Sequence, residues 1–256
     1  MAKGNNIGTL YLFAGGTLLF SLAWLMPSFP MLAFVGFAPF IAIAVNNRKG
    51  KTIWNSLDLI LLGLSVSFFA GSFFAVGQLA HILLQAMLCT LTFLGYTFVR
   101  KSLGARVSII TLPVFWLAAE YVLLKWAPFP VHFLADLFYI KPEWTAWNPH
   151  TGYLGASLWV WACNVLLYQA VLTEKKANLV FISLFVLSVA VPILYSYLAF
   201  DVSGALTRED MMQLYSPAPY PGTGYGSIGE FIPRTAAWLS VLILLFTLVK
   251  RKTIRK

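Results

Sequence analysis

Glu120 is the residue with the clearest potential for chemistry, because it is a carboxylate inside a long apolar segment. Two histidines, His132 and His150, follow in an aromatic, proline-rich stretch that also contains Asp136 and Glu143. A carboxylate and an imidazole within hydrogen-bond reach can act as base and acid. One interpretation is therefore an enzyme that uses Glu120 and a loop histidine as base and acid.

Other roles for Glu120 are also open. A carboxylate within a membrane span is costly and usually faces the bundle interior or a wet cavity. It could be structural, bonded to a neighbouring helix or to loop backbone. It could instead hold a lipid headgroup, with Trp116 on the same helical face. The spacing of the nearby histidines matches no compact metal motif, so we expect no metal ion and no cofactor.

The loop over residues 126–151 is too aromatic for an ordinary connection and too rich in proline for a helix. We interpret it as a surface that lies on or dips into a bilayer, either as an aromatic anchor or as a gate for acyl chains. The predicted aromatic belt consists of Trp126, Trp144, Trp147, Trp159 and Trp161. The predicted lipid-binding residues are Glu120, Trp116, Trp126, Phe129, His132, Trp147, His150, Gly155 and Ser157.

Composition assigns these residues to a membrane protein. Of the 256 residues, 59% are hydrophobic and 11% are charged, whereas a soluble domain carries about 25% charged residues. We therefore predict an all-α, polytopic membrane protein with a single transmembrane domain over residues 1–256. The net charge of +9 lies in short basic clusters between apolar runs, so it indicates membrane topology and not a nucleic-acid partner.

Eight apolar segments are candidates for membrane helices, which need roughly 20 mostly apolar residues. If both termini are cytoplasmic, 14 of the 18 Lys and Arg residues fall on the cytoplasmic side and 4 on the other. This is the positive-inside pattern, and it places the 126–151 loop outside. The predicted segments are 8–26, 31–46, 56–78, 81–99, 107–125, 152–173, 177–199 and 235–249.

Four stretches resemble the membrane domain of bacterial apolipoprotein N-acyltransferase. They are LFSLAWLMPSFPMLAFVGFAPFIAIA (19–44), FWLAAEYVLLKWAPFP (115–130), WNPHTGYLGASLWVWACNVLLY (147–168) and TGYGSIGEF (223–231). That family transfers an acyl chain from phospholipid to the N-terminal cysteine of lipoproteins. The resemblance implies a bacterial inner-membrane location, with membrane lipids and either lipoproteins or another envelope protein as partners.

The chain departs from this family where the family carries its catalytic domain. A nitrilase-like α/β domain with a Glu-Lys-Cys triad lies between the family's seventh and eighth spans. Here that interval is Ala199 to Arg234, which contains neither cysteine nor lysine and is too short for a layered α/β domain. Cys89 and Cys163 lie inside apolar runs, where a thiol is a poor nucleophile.

These features predict a non-catalytic relative, a pseudoenzyme that binds phospholipid or lipoprotein acyl chains, or that scaffolds a periplasmic partner. Two alternatives remain. One is the membrane-embedded acyltransferase that uses Glu120 and a loop histidine, and the other is a structural subunit of a larger cell-envelope complex.

Overall fold

A computed structural model describes residues 8–46, 53–173, 177–199 and 231–254. Regular structure within these ranges is helical throughout, as predicted. The described residues form eight helices of nine residues or more, here labelled in chain order, together with several shorter helical turns. They are α1 (Thr9–Leu25), α2 (Ala38–Asn46), α3 (Ile53–Gly71), α4 (Leu79–Leu103), α5 (Thr111–Trp126), α6 (Gly155–Leu167), α7 (Leu179–Ala199) and α8 (Phe231–Ile254).

Four of the described helical segments are long and apolar enough to cross a membrane. They are Val76–Leu103, Gly155–Leu172, Leu179–Ala199 and Phe231–Arg251, which correspond to α4, α6, α7 and α8 with short extensions. The first three helices are apolar but shorter. The segment predicted over 56–78 is wrong at its end, because α3 stops at Gly71 and a turn follows.

The described helices have one end marked by arginines, here called the basic end. Arg100, in the last turn of α4, donates a 2.8 Å hydrogen bond to the Val45 carbonyl of α2. Such a bond satisfies a helix-terminal carbonyl and places positive charge at the negative end of the helix dipole. The Arg251 guanidinium of α8 lies 4.9 Å from the Phe98 ring centroid. The carboxyl-terminal parts of α2, α4 and α8 therefore meet.

The opposite end, here called the loop end, gathers the predicted aromatic loop and the turns between helices. The His132 ring lies 5.4 Å from that of Trp24, near the end of α1. The Phe129 ring stacks on that of His81, near the start of α4, at 4.8 Å. The loop therefore rests against the amino-terminal end of one helix and the carboxyl-terminal end of another.

Small residues on α3 let it approach its neighbours closely. Gly63, Ser67 and Gly71 recur every four residues and so share one helical face. A Cβ atom at Gly63 would lie 2.7 Å from the Phe40 ring, and one at Gly71 would lie 3.1 Å from Trp24. This close packing is the function that small-residue stripes have in membrane helices.

Asn164 on α6 bridges a break in the helical backbone just before α2. Its Oδ1 accepts hydrogen bonds from the Phe37 and Ala38 N–H groups at 2.8 and 3.0 Å, and its Nδ2 donates to the Ala33 carbonyl at 2.8 Å. In a continuous helix, Phe37 N–H would bond to Ala33 C=O directly. The amide is thus inserted into the hydrogen-bond ladder between the helical turn Ala33–Gly36 and α2, a recognised cause of helix kinks.

Replacing Asn164 with Leu should destabilise the protein by at least about 2 kcal/mol, because buried N–H and C=O groups lose their partners. Unfolding in detergent, followed by circular dichroism, measures the loss. Gln169→Leu is the matched control, since this amide lies near the same helix but bonds to Thr173 at the exposed surface. Equal losses in both variants would contradict the bridging role.

A second side chain replaces the hydrogen bond that Pro192 removes from α7. Pro192 has no N–H, so it cannot bond to the Ser188 carbonyl one turn earlier. The Trp159 indole N–H of α6 donates to that carbonyl at 2.6 Å, and Cys163 Sγ lies 3.2 Å from Ser188 Oγ. Because of the proline, the Ser188 carbonyl of α7 is free to accept the hydrogen bond from α6.

Trp159→Phe should cost about 1 kcal/mol of stability in the native background, because it leaves the freed carbonyl unpaired. In a Pro192→Ala background the cost should shrink, since an alanine at that position can supply an N–H to the Ser188 carbonyl. A double-mutant cycle of unfolding free energies measures the coupling. An identical cost in the two backgrounds would show that the indole does not compensate for the proline.

Candidate functional site

The centre of the candidate site is a segment that was predicted to lie on a membrane surface but is packed inside the protein. From Val131 to Phe138 the side chains are buried, except for that of His132, which is half-buried. The segment ends in a short 3-10 helix, Leu134–Phe138. The surface interpretation of residues 131–138 is therefore wrong. The apolar run VHFLADLF fills the space between helices, and its backbone needs partners there.

Gln85 of α4 supplies two of these partners. Its Nε2 donates a 2.6 Å hydrogen bond to the His132 carbonyl, and its Oε1 accepts a 3.1 Å bond from the N–H of the same residue. One amide thereby satisfies both polar groups of a backbone unit. Sequence analysis did not identify Gln85. Its signal was an uncharged amide within an otherwise apolar segment.

Glu120 of α5 supplies the next partner. Its Oε1 accepts a 2.9 Å hydrogen bond from the Leu134 N–H group, and the residue is only 2% exposed. Of the roles that the sequence leaves open, this contact corresponds to the structural one, a carboxylate bonded to loop backbone. A role in binding a lipid headgroup stays a prediction, and this buried position does not favour it.

Further polar groups surround the Glu120 carboxylate. The Ser157 hydroxyl and the Trp116 indole lie close enough to interact with it, although within the described residues neither makes a well-aligned hydrogen bond. Asp136 is also near, and its Oδ2 accepts a 3.0 Å bond from the Phe133 N–H group. Two carboxylates from different elements thus accept N–H groups of the same buried segment.

The other predicted lipid-binding residues do not join this cluster in one cleft. Trp126 is 70% exposed at the end of α5, and His150 is also exposed. Phe129 and Trp147 are half-buried. Gly155 is buried, and a Cβ there would collide with Thr151 and approach the Trp147 ring. The predicted set therefore divides into an internal group and a group on the outer surface.

The predicted aromatic belt is wrong for two of its members. Trp159 and Trp161 are buried. The ring of Trp161 packs 5.3 Å from that of Trp116 and 4.9 Å from that of Phe37. These indoles build the core between α5, α6 and the turn before α2. Trp126, Trp144 and Trp147 are at least partly exposed at the loop end.

Thiols and potential metal ligands are the other reactive groups of the described residues. Cys89 and Cys163 are buried free thiols. Among the described residues, no group of three or more His, Cys, Asp or Glu side chains could hold a metal ion.

Comparisons with family models, with curated proteins and with solved structures find no match to this chain. The site must therefore be interpreted from its own geometry. That geometry is a buried backbone segment held by side chains of α4 and α5.

Replacing Glu120 with Leu should increase hydrogen exchange at the Leu134 amide by about tenfold or more, because losing about 1.4 kcal/mol from the closed state changes its population tenfold. Glu120→Gln should keep most of the protection, since its Oε1 can still accept the bond. Hydrogen–deuterium exchange of peptides over residues 131–138 measures both. Equal protection in Glu120→Leu and the native chain would contradict the proposed bond.

Proposed function

We propose that this chain is a multi-span protein of the bacterial inner membrane that binds phospholipid without transferring an acyl chain from it. It is a relative of the membrane domain of apolipoprotein N-acyltransferase, which it resembles in the four stretches described above. The observation that carries the non-catalytic proposal is the Glu120–Leu134 bond. The carboxylate best placed to be a base is bonded to backbone and shielded from substrate.

The proposed topology has eight spans with both termini in the cytoplasm. Support comes from the eight helices of nine residues or more among the described residues and from the arginines gathered at the basic end, which the positive-inside rule assigns to the cytoplasm. The loop end then faces the periplasm. Residues 200–230, most of the interval where the family carries its catalytic domain, lie outside the described residues.

The lipid-binding part of the proposal depends on the outward faces of α7 and α8. Both helices are among the four that can cross a membrane, and most of their large apolar side chains are exposed. Such surfaces are stable only in contact with acyl chains or with other apolar protein surfaces. Phospholipid is the partner that a bilayer supplies everywhere.

A structural subunit of an envelope complex is the second candidate, and a separate observation favours it. The turn after α3 exposes Phe73 and Phe74 side by side, both with positive φ angles of 51° and 60°. This backbone region is strained for bulky residues, and such strain often marks functional positions. An exposed aromatic pair at the loop end could dock a periplasmic protein.

Native mass spectrometry of the protein, purified gently from its own membrane, separates these proposals. We expect at least one phospholipid to stay bound to each chain. The same lipid should remain bound to Glu120→Gln, because this carboxylate holds the loop and not the headgroup. No lysophospholipid should accumulate with time.

Other outcomes would overturn specific parts of the proposal. Loss of the lipid in Glu120→Gln would place the headgroup at that carboxylate. A stoichiometric protein partner without retained lipid would favour the structural subunit. Lysophospholipid that accumulates with time, and ceases to do so in Glu120→Gln, would show that the chain is an enzyme.

A further inference from the structure

A groove on the outer surface lies between α4, α5 and α8. Its volume is ≈ 170 Å³. Most of its lining is apolar or small, and the two hydroxyl groups in it already have acceptors. Thr92 donates to the Cys89 carbonyl at 2.6 Å, and Ser240 donates to the Ala236 carbonyl at 2.8 Å. The groove therefore offers its occupant no unpaired side-chain hydroxyl.

The dimensions of the groove match one hydrocarbon chain. On α4 its lining runs from Leu88 to Gly95, which is about 10 Å at 1.5 Å per residue. A helix segment of the same length, about 10 Å wide with its side chains, needs about five times the groove's volume of ≈ 170 Å³. A single acyl chain, whose carbon atoms contact their neighbours at about 4 Å, is therefore the better match.

The depth of the groove restricts its occupant further. Leu88 and Gly95 bracket the middle of α4, and Ser240 and Leu244 lie at the middle of α8. Both helices can cross a membrane, so the middle of each lies near the bilayer midplane. Only the terminal half of a phospholipid chain reaches that depth. The rim residue Leu91 is largely exposed, which leaves the groove open to the bilayer.

We infer that this groove binds the terminal half of one phospholipid acyl chain, an inference that rests on the proposed lipid-binding function and gives it a location. The end of the acyl chain gives the side chains that line the groove van der Waals contacts that an empty groove would lack. Apolar cavities of about 150 Å³ in other proteins bind a six-carbon ring, so a stretch of similar carbon number fits here. The occupant is a phospholipid, because phospholipid is the source of hydrocarbon chains that surrounds every membrane helix.

Photolabelling in nanodiscs tests the inference. The probe is a phosphatidylcholine with a diazirine at the end of one acyl chain, and a second probe carries the diazirine beside the ester. Peptides that contain Leu88–Gly95 and Ser240–Leu244 should label at least threefold more than the middle of α7, around Val186 and Leu187. The probe with the diazirine beside the ester should not show this excess.

Two variants fill the groove. Ala118→Leu should remove the excess labelling, and the smaller Ala118→Val should reduce it partly, so the test survives if the larger change harms folding. Ala162→Leu, the same substitution at an exposed position of α6, is the matched control and should leave the excess unchanged.

Each contrary result contradicts a different claim. Equal labelling of the groove peptides and of α7 in the native chain would overturn the groove inference but not the proposed membrane function. An unchanged excess in Ala118→Leu would likewise place the bound chain elsewhere. Absence of label from the middle of α7 as well would overturn the proposed membrane embedding itself.

Discussion

The rest of this structure depends on the need of buried backbone for hydrogen-bond partners. An apolar stretch that leaves a helix cannot stay inside a membrane protein unless its N–H and C=O groups are satisfied. Here Gln85 and Glu120, from two different helices, bond to neighbouring backbone units at His132 and Leu134. These bonds allow the 131–138 segment to fill the centre of the bundle, and they explain why a carboxylate is kept at this depth.

The same requirement recurs wherever a helix is interrupted. Asn164 bridges the break before α2, and Trp159 bonds to the carbonyl that Pro192 leaves free. Both side chains lie on α6. This helix therefore supplies hydrogen-bond donors and acceptors to the backbone before α2 and a donor to that of α7. The Trp159 indole and the Asn164 amide are therefore explained by packing within the protein.

Sequence reasoning recovered the helical class and the positions of most of the apolar helices, because hydropathy is a local signal. It missed the burial of residues 131–138 and of Trp161. The same aromatic and proline content describes an interfacial loop and an internal one, and only the positions of Gln85 and Glu120 in space distinguish them. Hydropathy also cannot show which face of α6 points inward when every face is apolar.

The account implies that the loop end has a closed interior, and that any ligand meets the outside of the bundle. Cysteine labelling in nanodiscs tests this most directly, with Ala135→Cys and Tyr139→Cys compared. Ala135 is 5% exposed and Tyr139 is 57% exposed, and the native thiols Cys89 and Cys163 are buried. We expect a hydrophilic maleimide to react at least tenfold faster at position 139, with equal rates after denaturation. Equal rates in the folded protein would contradict the account, because the segment would then be open to solvent.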